Sequence, residues 1–118
     1  MAVRCVIVDD SERFRASARR LLTTQGLTVV ADAADSRQAM RVIDEHDPDV
    51  VLVDVGLGAE SGFDLAAKLA PRPVIMVSSL APDDIEDLVG PSGAIGYVPK
   101  NQLSACTITS MLKRPRGT

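Results

Sequence analysis

The segment V-R-C-V-I-V-D-D-S-E at residues 3–12 decides the fold class, because an apolar run stops abruptly at acidic residues. Residues 3–8 are nearly continuous in apolar and β-branched side chains, which is typical of a strand covered on both faces of a sheet. Beyond the acidic residues, apolar side chains return at the spacing of an amphipathic helix, at Phe14, Ala18, Leu21 and Leu22. The segment therefore predicts one strand followed by one helix, which Gly26 is expected to end.

The same alternation of strand and helix recurs along the rest of the chain. It predicts further strands over residues 27–33, 50–53, 74–77 and 95–99, and further helices over residues 36–47, 63–69, 82–89 and 103–112. A glycine-rich loop is expected at Gly56, Gly58 and Gly62. This alternation implies an α/β fold, a doubly wound five-stranded parallel sheet with helices on both faces.

Composition and charge exclude several classes of function. The chain of 118 residues is long enough for one domain, which we expect over residues 1–112, followed by a basic tail or the start of a linker over residues 113–118. The net charge is −3 and aromatic residues make up 3%, so nucleic acid is a poor partner for this domain. No apolar run approaches the ~18 residues of a membrane span and no cleavable leader is recognisable, so we expect a cytoplasmic protein with no membrane partner.

Polar residues stand where the predicted strands end. Asp9 and Asp10 follow the first strand, Asp54 the third, Ser78 the fourth and Lys100 the fifth. Because the carboxyl ends of parallel strands meet at one edge of a sheet, we expect these side chains to share one pocket. Three neighbouring carboxylates repel one another, and a hard divalent cation such as Mg²⁺ relieves that repulsion. Taken singly, each residue also fits a helix cap, a turn or a surface charge.

Such a pocket suits phosphoryl transfer to a carboxylate. Asp54 is the best candidate for the nucleophile, because it is alone at its strand end and is followed by glycines that leave room for a phosphodonor. The metal and Lys100 would offset charge on the transferring group. Ser78 would donate a hydrogen bond to one of its oxygens.

Five segments in chain order carry a family signature. They are V-I-V-D-D-S-E (6–12), V-L-V-D-V-G-L-G (51–58), S-G-F-D-L (61–65), P-V-I-M-V-S-S (73–79) and G-A-I-G-Y-V-P-K (93–100). In these segments the chain resembles the response-regulator receiver domain of two-component signalling, of the chemotaxis-regulator type, and the resemblance covers essentially the whole chain. It implies a flavodoxin-like sheet with strand order 2-1-3-4-5.

The resemblance also implies a role for each pocket residue. Asp54 would be the phosphoacceptor, modified by a histidine kinase or a phosphotransfer protein with Lys100 beside it. Mg²⁺ would be bound by Asp10, Asp54 and the backbone carbonyl of Gly56, with Asp9 acting mostly through water. The chain would then be no enzyme toward other substrates, since it would promote only its own Mg²⁺-dependent phosphorylation and dephosphorylation.

Ser78 and Tyr97 match the family's hydroxyl and aromatic switch pair. In that mechanism the hydroxyl moves toward the phosphoryl group and the aromatic ring turns inward. The face formed by the fourth predicted helix, the fifth strand and the fifth helix then changes its partner preference. That partner would be a downstream effector or an output domain outside this chain, for instance one that binds DNA. The same face would be the interface if the protein forms a homodimer on activation.

Some features depart from the family pattern. Gly58 stands where a proline is usual, which predicts a looser loop after Asp54, and the third helix is short. These features leave open a receiver-like interaction module that acts without phosphorylation. An aspartyl phosphatase of the haloacid-dehalogenase type would instead need D-x-D at one strand end. A flavin site would need a phosphate-binding loop after the first strand, where the sequence reads D-D-S-E at residues 9–12.

Overall fold

The structure, a computed structural model, describes residues 3–79, 89 and 91–113. Its strands are β1 (Arg4–Val8), β2 (Thr28–Ala33), β3 (Val50–Asp54), β4 (Gly56–Leu57), β5 (Glu60–Ser61), β6 (Val74–Ser78) and β7 (Gly96–Pro99). Its helices are α1 (Glu12–Thr24), α2 (Ser36–His46), α3 (Gly62–Leu69) and α4 (Ala105–Lys113), and a 3₁₀ turn spans Lys100–Gln102.

Five of the strands form one parallel sheet in the order β2-β1-β3-β6-β7. This is the order 2-1-3-4-5 when the strands of that sheet are counted alone, so the predicted doubly wound α/β topology is confirmed. The reversal of strand order falls between β1 and β3, where both strands continue into acidic residues. A ligand site in such a sheet is expected at that point.

Both faces of the sheet are apolar and covered by helices. On one face, α1 and α4 pack against alternate strand residues, including Ile7, Leu52 and Ile75. On the other face, α2 and α3 pack against the residues between them, including Val51, Val53 and Met76. Residues 5–8 of β1 are all buried, which confirms the double-sided burial expected of this strand. Cys5 is a buried free thiol and Cys106 an exposed one.

The structure corrects several predicted boundaries. Residues 56–61 were expected to form a loose loop, but they form a small antiparallel hairpin of β4 and β5. The Glu60 carboxylate accepts hydrogen bonds from the backbone N–H and the hydroxyl of Ser36 at the start of α2. The last helix begins at Ala105 rather than at residue 103, because the 3₁₀ turn precedes it.

Two predicted segments fall largely or wholly beyond the described residues. The helix expected over residues 82–89 lies outside them except for residue 89, and so do residues 114–118 of the basic tail. Within the part of the chain that is described, none of the helices has the length and apolarity needed to cross a membrane.

Candidate functional site

The register of the sheet places the acidic residues together. Val8 of β1 lies opposite Val53 of β3, so Asp9 and Asp54 follow at the same level of neighbouring strands. Carboxylate oxygens of Asp9, Asp10 and Asp54 lie within 4.8 Å of one another. These three side chains therefore converge in the structure, as the sequence predicts.

Asp9 is the most deeply buried member of the cluster, with 1% of the residue exposed. Its Oδ1 accepts a hydrogen bond from the backbone N–H of Ser11 at 2.8 Å. Its Oδ2 accepts no aligned hydrogen bond from any described residue and is compensated by the Lys100 ammonium, whose Nζ lies 2.8 Å away. A buried carboxylate oxygen that lacks hydrogen-bond donors lowers the stability of the folded protein unless a cation lies nearby.

Asp54 ends β3 and retains 13% exposure of its side chain. Burial and the neighbouring Asp9 carboxylate raise the pKa of Asp54 from 3.8 to about 6, and Asp10 adds to the rise. The Lys100 ammonium and a hydrogen bond from the Gly56 N–H act in the opposite direction. The ionised form of Asp54 is therefore unfavourable in the folded protein, and added positive charge would stabilise it.

Lys100 bridges the carboxylates of Asp9 and Asp54. Its Nζ lies 2.8 Å from Asp9 Oδ2 and 3.6 Å from Asp54 Oδ2, and 23% of its side chain is exposed. Burial would lower the pKa of Lys100, but the contacts with Asp9 and Asp54 outweigh it and raise that pKa above its ordinary value. Lys100 is therefore a fixed positive charge at the edge of the acidic cluster.

Two glycines of the S-G-F-D and V-G-L-G segments shape the space beside the carboxylates. Gly62 begins α3 so close to β3 that a Cβ there would lie 1.9 Å from the Asp54 carbonyl oxygen. Gly58, in the hairpin turn, has a φ of +64°, and a Cβ there would lie 3.6 Å from Asp10 Oδ2. Proline cannot adopt that φ, so the departure from the family pattern at Gly58 has a backbone cause.

The predicted switch pair lies at the ends of β6 and β7. Ser78 is buried at the end of β6, in register with Pro99. Tyr97 is partly buried against the core on the α2 and α3 side, and its hydroxyl donates a long hydrogen bond, 3.4 Å, to the Ser78 carbonyl oxygen. The two residues are thus in contact in this structure.

Two residues on the first turns of α1 were not recognised as part of the site from the sequence. Arg15 Nη1 donates to the Asp9 carbonyl oxygen at 2.6 Å, and its Nε lies 3.4 Å from Asp32 Oδ1. The ring of Phe14 lies under Lys100, with Nζ 4.3 Å from its centroid. Arginine near a helix N-terminus is electrostatically unfavourable, which is a sequence signal that an acidic partner lies close to Arg15.

The residues present fit a hard divalent cation. All three acidic side chains offer oxygen ligands, and the single nearby ammonium leaves two negative charges of the cluster uncompensated. Asp9 Oδ2 contacts the same Lys100 ammonium that lies 3.6 Å from Asp54 Oδ2. Asp9, Asp10 and Asp54 would hold such an ion.

Sequence comparison matches this chain to known proteins. One relative is protein-glutamate methylesterase/protein-glutamine glutaminase 1 of Oleidesulfovibrio alaskensis. It is 34% identical over 112 residues, which are 90% of this chain and 30% of that protein. The transcriptional regulatory protein DegU of Brevibacillus brevis is 32% identical over 103 residues, 83% of this chain and 44% of DegU. The chain thus spans less than half the length of these relatives.

Structure comparison gives the same result. The signal receiver domain of the response regulator NarL from Mycobacterium tuberculosis superposes with a TM-score of 0.83 at 27% identity, covering 96% of this chain and 98% of that one. The family model described as the response regulator receiver domain matches residues 5–112, which include the carboxyl end of every strand given above. The chain therefore belongs to the response regulator receiver domain family of two-component systems.

Proposed function

We propose that this chain is a phosphoacceptor receiver whose Asp54 is phosphorylated by a histidine kinase or a phosphotransfer protein with Mg²⁺. The observation that carries the proposal is the position of Asp54, a partly exposed carboxylate with a raised pKa beside two further carboxylates and Lys100. Groups with perturbed pKa values in such clusters are typical of functional sites.

The residues suggest the following chemistry. A carboxylate oxygen of Asp54 attacks the phosphorus of a phosphohistidine, a P–O bond forms, and the P–N bond breaks as the imidazole leaves with its electron pair. Lys100, already 3.6 Å from Asp54, is placed to contact an oxygen of the incoming group. A bound Mg²⁺ would supply positive charge that offsets the phosphoryl oxygens. Ser78 is proposed to donate its hydroxyl to another of those oxygens.

Asp9, Asp10, Asp54 and the backbone carbonyl of Gly56 are the proposed metal ligands, with Asp9 acting mostly through water. The first three lie in one cluster, which supports this assignment. Gly56 lies two residues beyond Asp54, and its N–H bonds the Asp54 carboxyl group, so its peptide is adjacent to the site.

Signal output is proposed to use Ser78 and Tyr97. Phosphorylation would draw the Ser78 hydroxyl toward Asp54, and Tyr97, now bonded to the Ser78 carbonyl oxygen, would settle inward. The face formed by β7, α4 and the helix predicted over residues 82–89, of which only residue 89 is described, would then bind an effector, an output domain such as a DNA-binding domain, or a second copy. The methylesterase relative matches over only 30% of its length, so we assign this chain no activity beyond its own phosphorylation and dephosphorylation.

The test of the phosphoacceptor is incubation of the full chain with acetyl phosphate, with and without Mg²⁺, followed by intact mass measurement. We expect a Mg²⁺-dependent gain of one phosphoryl group, ~80 Da, that is absent in Asp54→Asn. Asp64→Asn is the matched control, because Asp64 is an exposed aspartate on α3 that is not one of the three clustered carboxylates.

The same gain in Asp54→Asn would contradict the assignment of Asp54. No gain in the folded wild-type protein would favour the alternative function, an interaction module that acts without phosphorylation.

The switch has a separate test in Tyr97→Ala. This change removes the ring that contacts Ser78 but leaves the acidic cluster intact, so the rate of phosphoryl gain should stay within about twofold while effector binding weakens. Loss of phosphorylation itself would contradict the switch assignment.

A further inference from the structure

We propose that Phe14 is a positioning residue for phosphoryl transfer, holding the Lys100 ammonium between Asp9 and Asp54 through a cation–π contact. This inference rests on the proposed function of Asp54. Phe14 touches neither carboxylate in any described contact, so its role would be exerted through Lys100.

The geometry brings three groups to one ammonium. Lys100 Nζ lies 4.3 Å from the centroid of the Phe14 ring, well inside the ~6 Å range of a cation–π interaction. The same atom lies 2.8 Å from Asp9 Oδ2 and 3.6 Å from Asp54 Oδ2. The ring therefore contacts the ammonium beside Asp54, where the incoming phosphorus would bind.

Phe14 is itself tied to the acidic cluster by a closed series of contacts. Asp9 Oδ1 accepts the Ser11 N–H at 2.8 Å, and Ser11 Oγ caps α1 by accepting the Phe14 N–H at 3.2 Å. The Phe14 ring contacts the Lys100 ammonium, and that ammonium forms an ion pair with Asp9. Because the series begins and ends at Asp9, the ring and the ammonium are fixed relative to the same carboxylate.

Lys100 gains from such a support because part of its side chain remains exposed. It begins a 3₁₀ turn rather than lying within a strand, and 23% of its side chain is exposed. A lysine has a flexible four-carbon stem, and ordering it costs conformational entropy. A ring under the ammonium removes orientations that point it away from Asp54.

Phe14 also packs against the apolar core between α1 and the sheet, so a packing role must be separated from a cation–π role. Leucine restores apolar packing but has no π face, whereas tyrosine retains the π face. Phe63→Leu is the matched control, because Phe63 is the other phenylalanine of the chain and packs on the opposite face of the sheet.

The test combines two measurements on the full chain. The first is the ¹H chemical shift of the Lys100 ε-methylene, which a ring face moves upfield. We expect the upfield shift in the wild type and in Phe14→Tyr, and its loss in Phe14→Leu. The second is the rate constant of phosphoryl gain from subsaturating acetyl phosphate at saturating Mg²⁺. We expect a fall of about 3- to 10-fold in Phe14→Leu, but less than twofold in Phe14→Tyr and in Phe63→Leu.

The outcomes separate the two proposals. A phosphorylated wild type with equal rates in Phe14→Leu and Phe14→Tyr would overturn the role of Phe14 and leave the role of Asp54 intact. A wild type that gains no phosphoryl group while the Lys100 shift is upfield would overturn the proposed function, although the contact exists. A Lys100 shift that does not respond to Phe14→Leu would contradict the cation–π contact itself.

Discussion

Val53 and Asp54 are neighbours on β3, yet they lie in opposite environments. Val53 is fully buried among apolar side chains, whereas Asp54 faces two carboxylates and one ammonium and has its pKa raised to about 6. The middle of the sheet is stabilised by burial. Its carboxyl end carries a charge cluster that costs stability, so function and stability are separated by a single residue along the strand.

The largest effect is expected in the middle of the sheet. Leu52→Ala should lower the free energy of unfolding by about 2–5 kcal/mol, because Leu52 is 2% exposed and its truncation leaves a cavity. Leu21→Ala is the control, since Leu21 is 39% exposed and its loss should cost about 0.5 kcal/mol or less. Denaturant titration measures both. Equal losses would mean that the sheet does not carry most of the stability.

At the carboxyl end of β3, a substitution is expected to raise the free energy of unfolding rather than lower it. Because the folded-state pKa of Asp54 is raised to about 6 from 3.8, its charged form is less favourable in the folded protein than in the unfolded chain. Its contribution to stability is therefore full below pH ~4 and is lost as the pH rises through ~6. In chelator at pH 7, Asp54→Asn should be more stable than the wild type by about 2–3 kcal/mol.

This gain should shrink toward zero near pH 4, where the wild-type carboxyl group is protonated as well. The measurement is denaturant titration of both proteins across that pH range, with Asp64→Asn as the exposed control. A destabilised Asp54→Asn at pH 7 would contradict the picture of a carboxylate held against an unfavourable charge.

A smaller effect is expected in the hairpin that borders the cluster. Gly58→Ala should cost about 1 kcal/mol, because alanine is strained at a φ of +64° although its Cβ would meet only ordinary contacts. Gly56→Ala is the matched control, since Gly56 has no positive φ and no atom within 4 Å of an added Cβ. Thermal unfolding distinguishes the two. Equal effects would indicate that the turn is not held in its left-handed conformation.

The difference between the two regions also explains what the sequence could predict. The continuous apolar strands and the helical spacing of Phe14, Ala18 and Leu22 determine burial directly, so the order of elements and the convergence of Asp9, Asp10 and Asp54 followed from pattern. The hairpin after Asp54 did not, because glycines permit many backbone conformations and the Glu60–Ser36 contact joins residues 24 positions apart.

The roles of Phe14 and Gly62 were hidden for a similar reason. Phe14 fits the apolar face of α1, and nothing in the spacing indicates that its ring lies under Lys100, 86 positions later along the chain. Gly62 appears as one loop glycine among three, whereas the close approach of α3 to the Asp54 carbonyl oxygen exists only in the folded chain. Contacts made by packing, rather than by periodicity, define this part of the site.

The most direct test locates the phosphoryl group on the chain. After reaction with acetyl phosphate and Mg²⁺, borohydride reduces an aspartyl phosphate to homoserine, and peptide mass spectrometry identifies the residue that has changed. Homoserine at position 54 alone is the expected result. Homoserine at Asp9, at Asp10 or at an aspartate outside the cluster would contradict the assignment of Asp54 as the phosphoacceptor, and so would a phosphorylated protein with no homoserine at all.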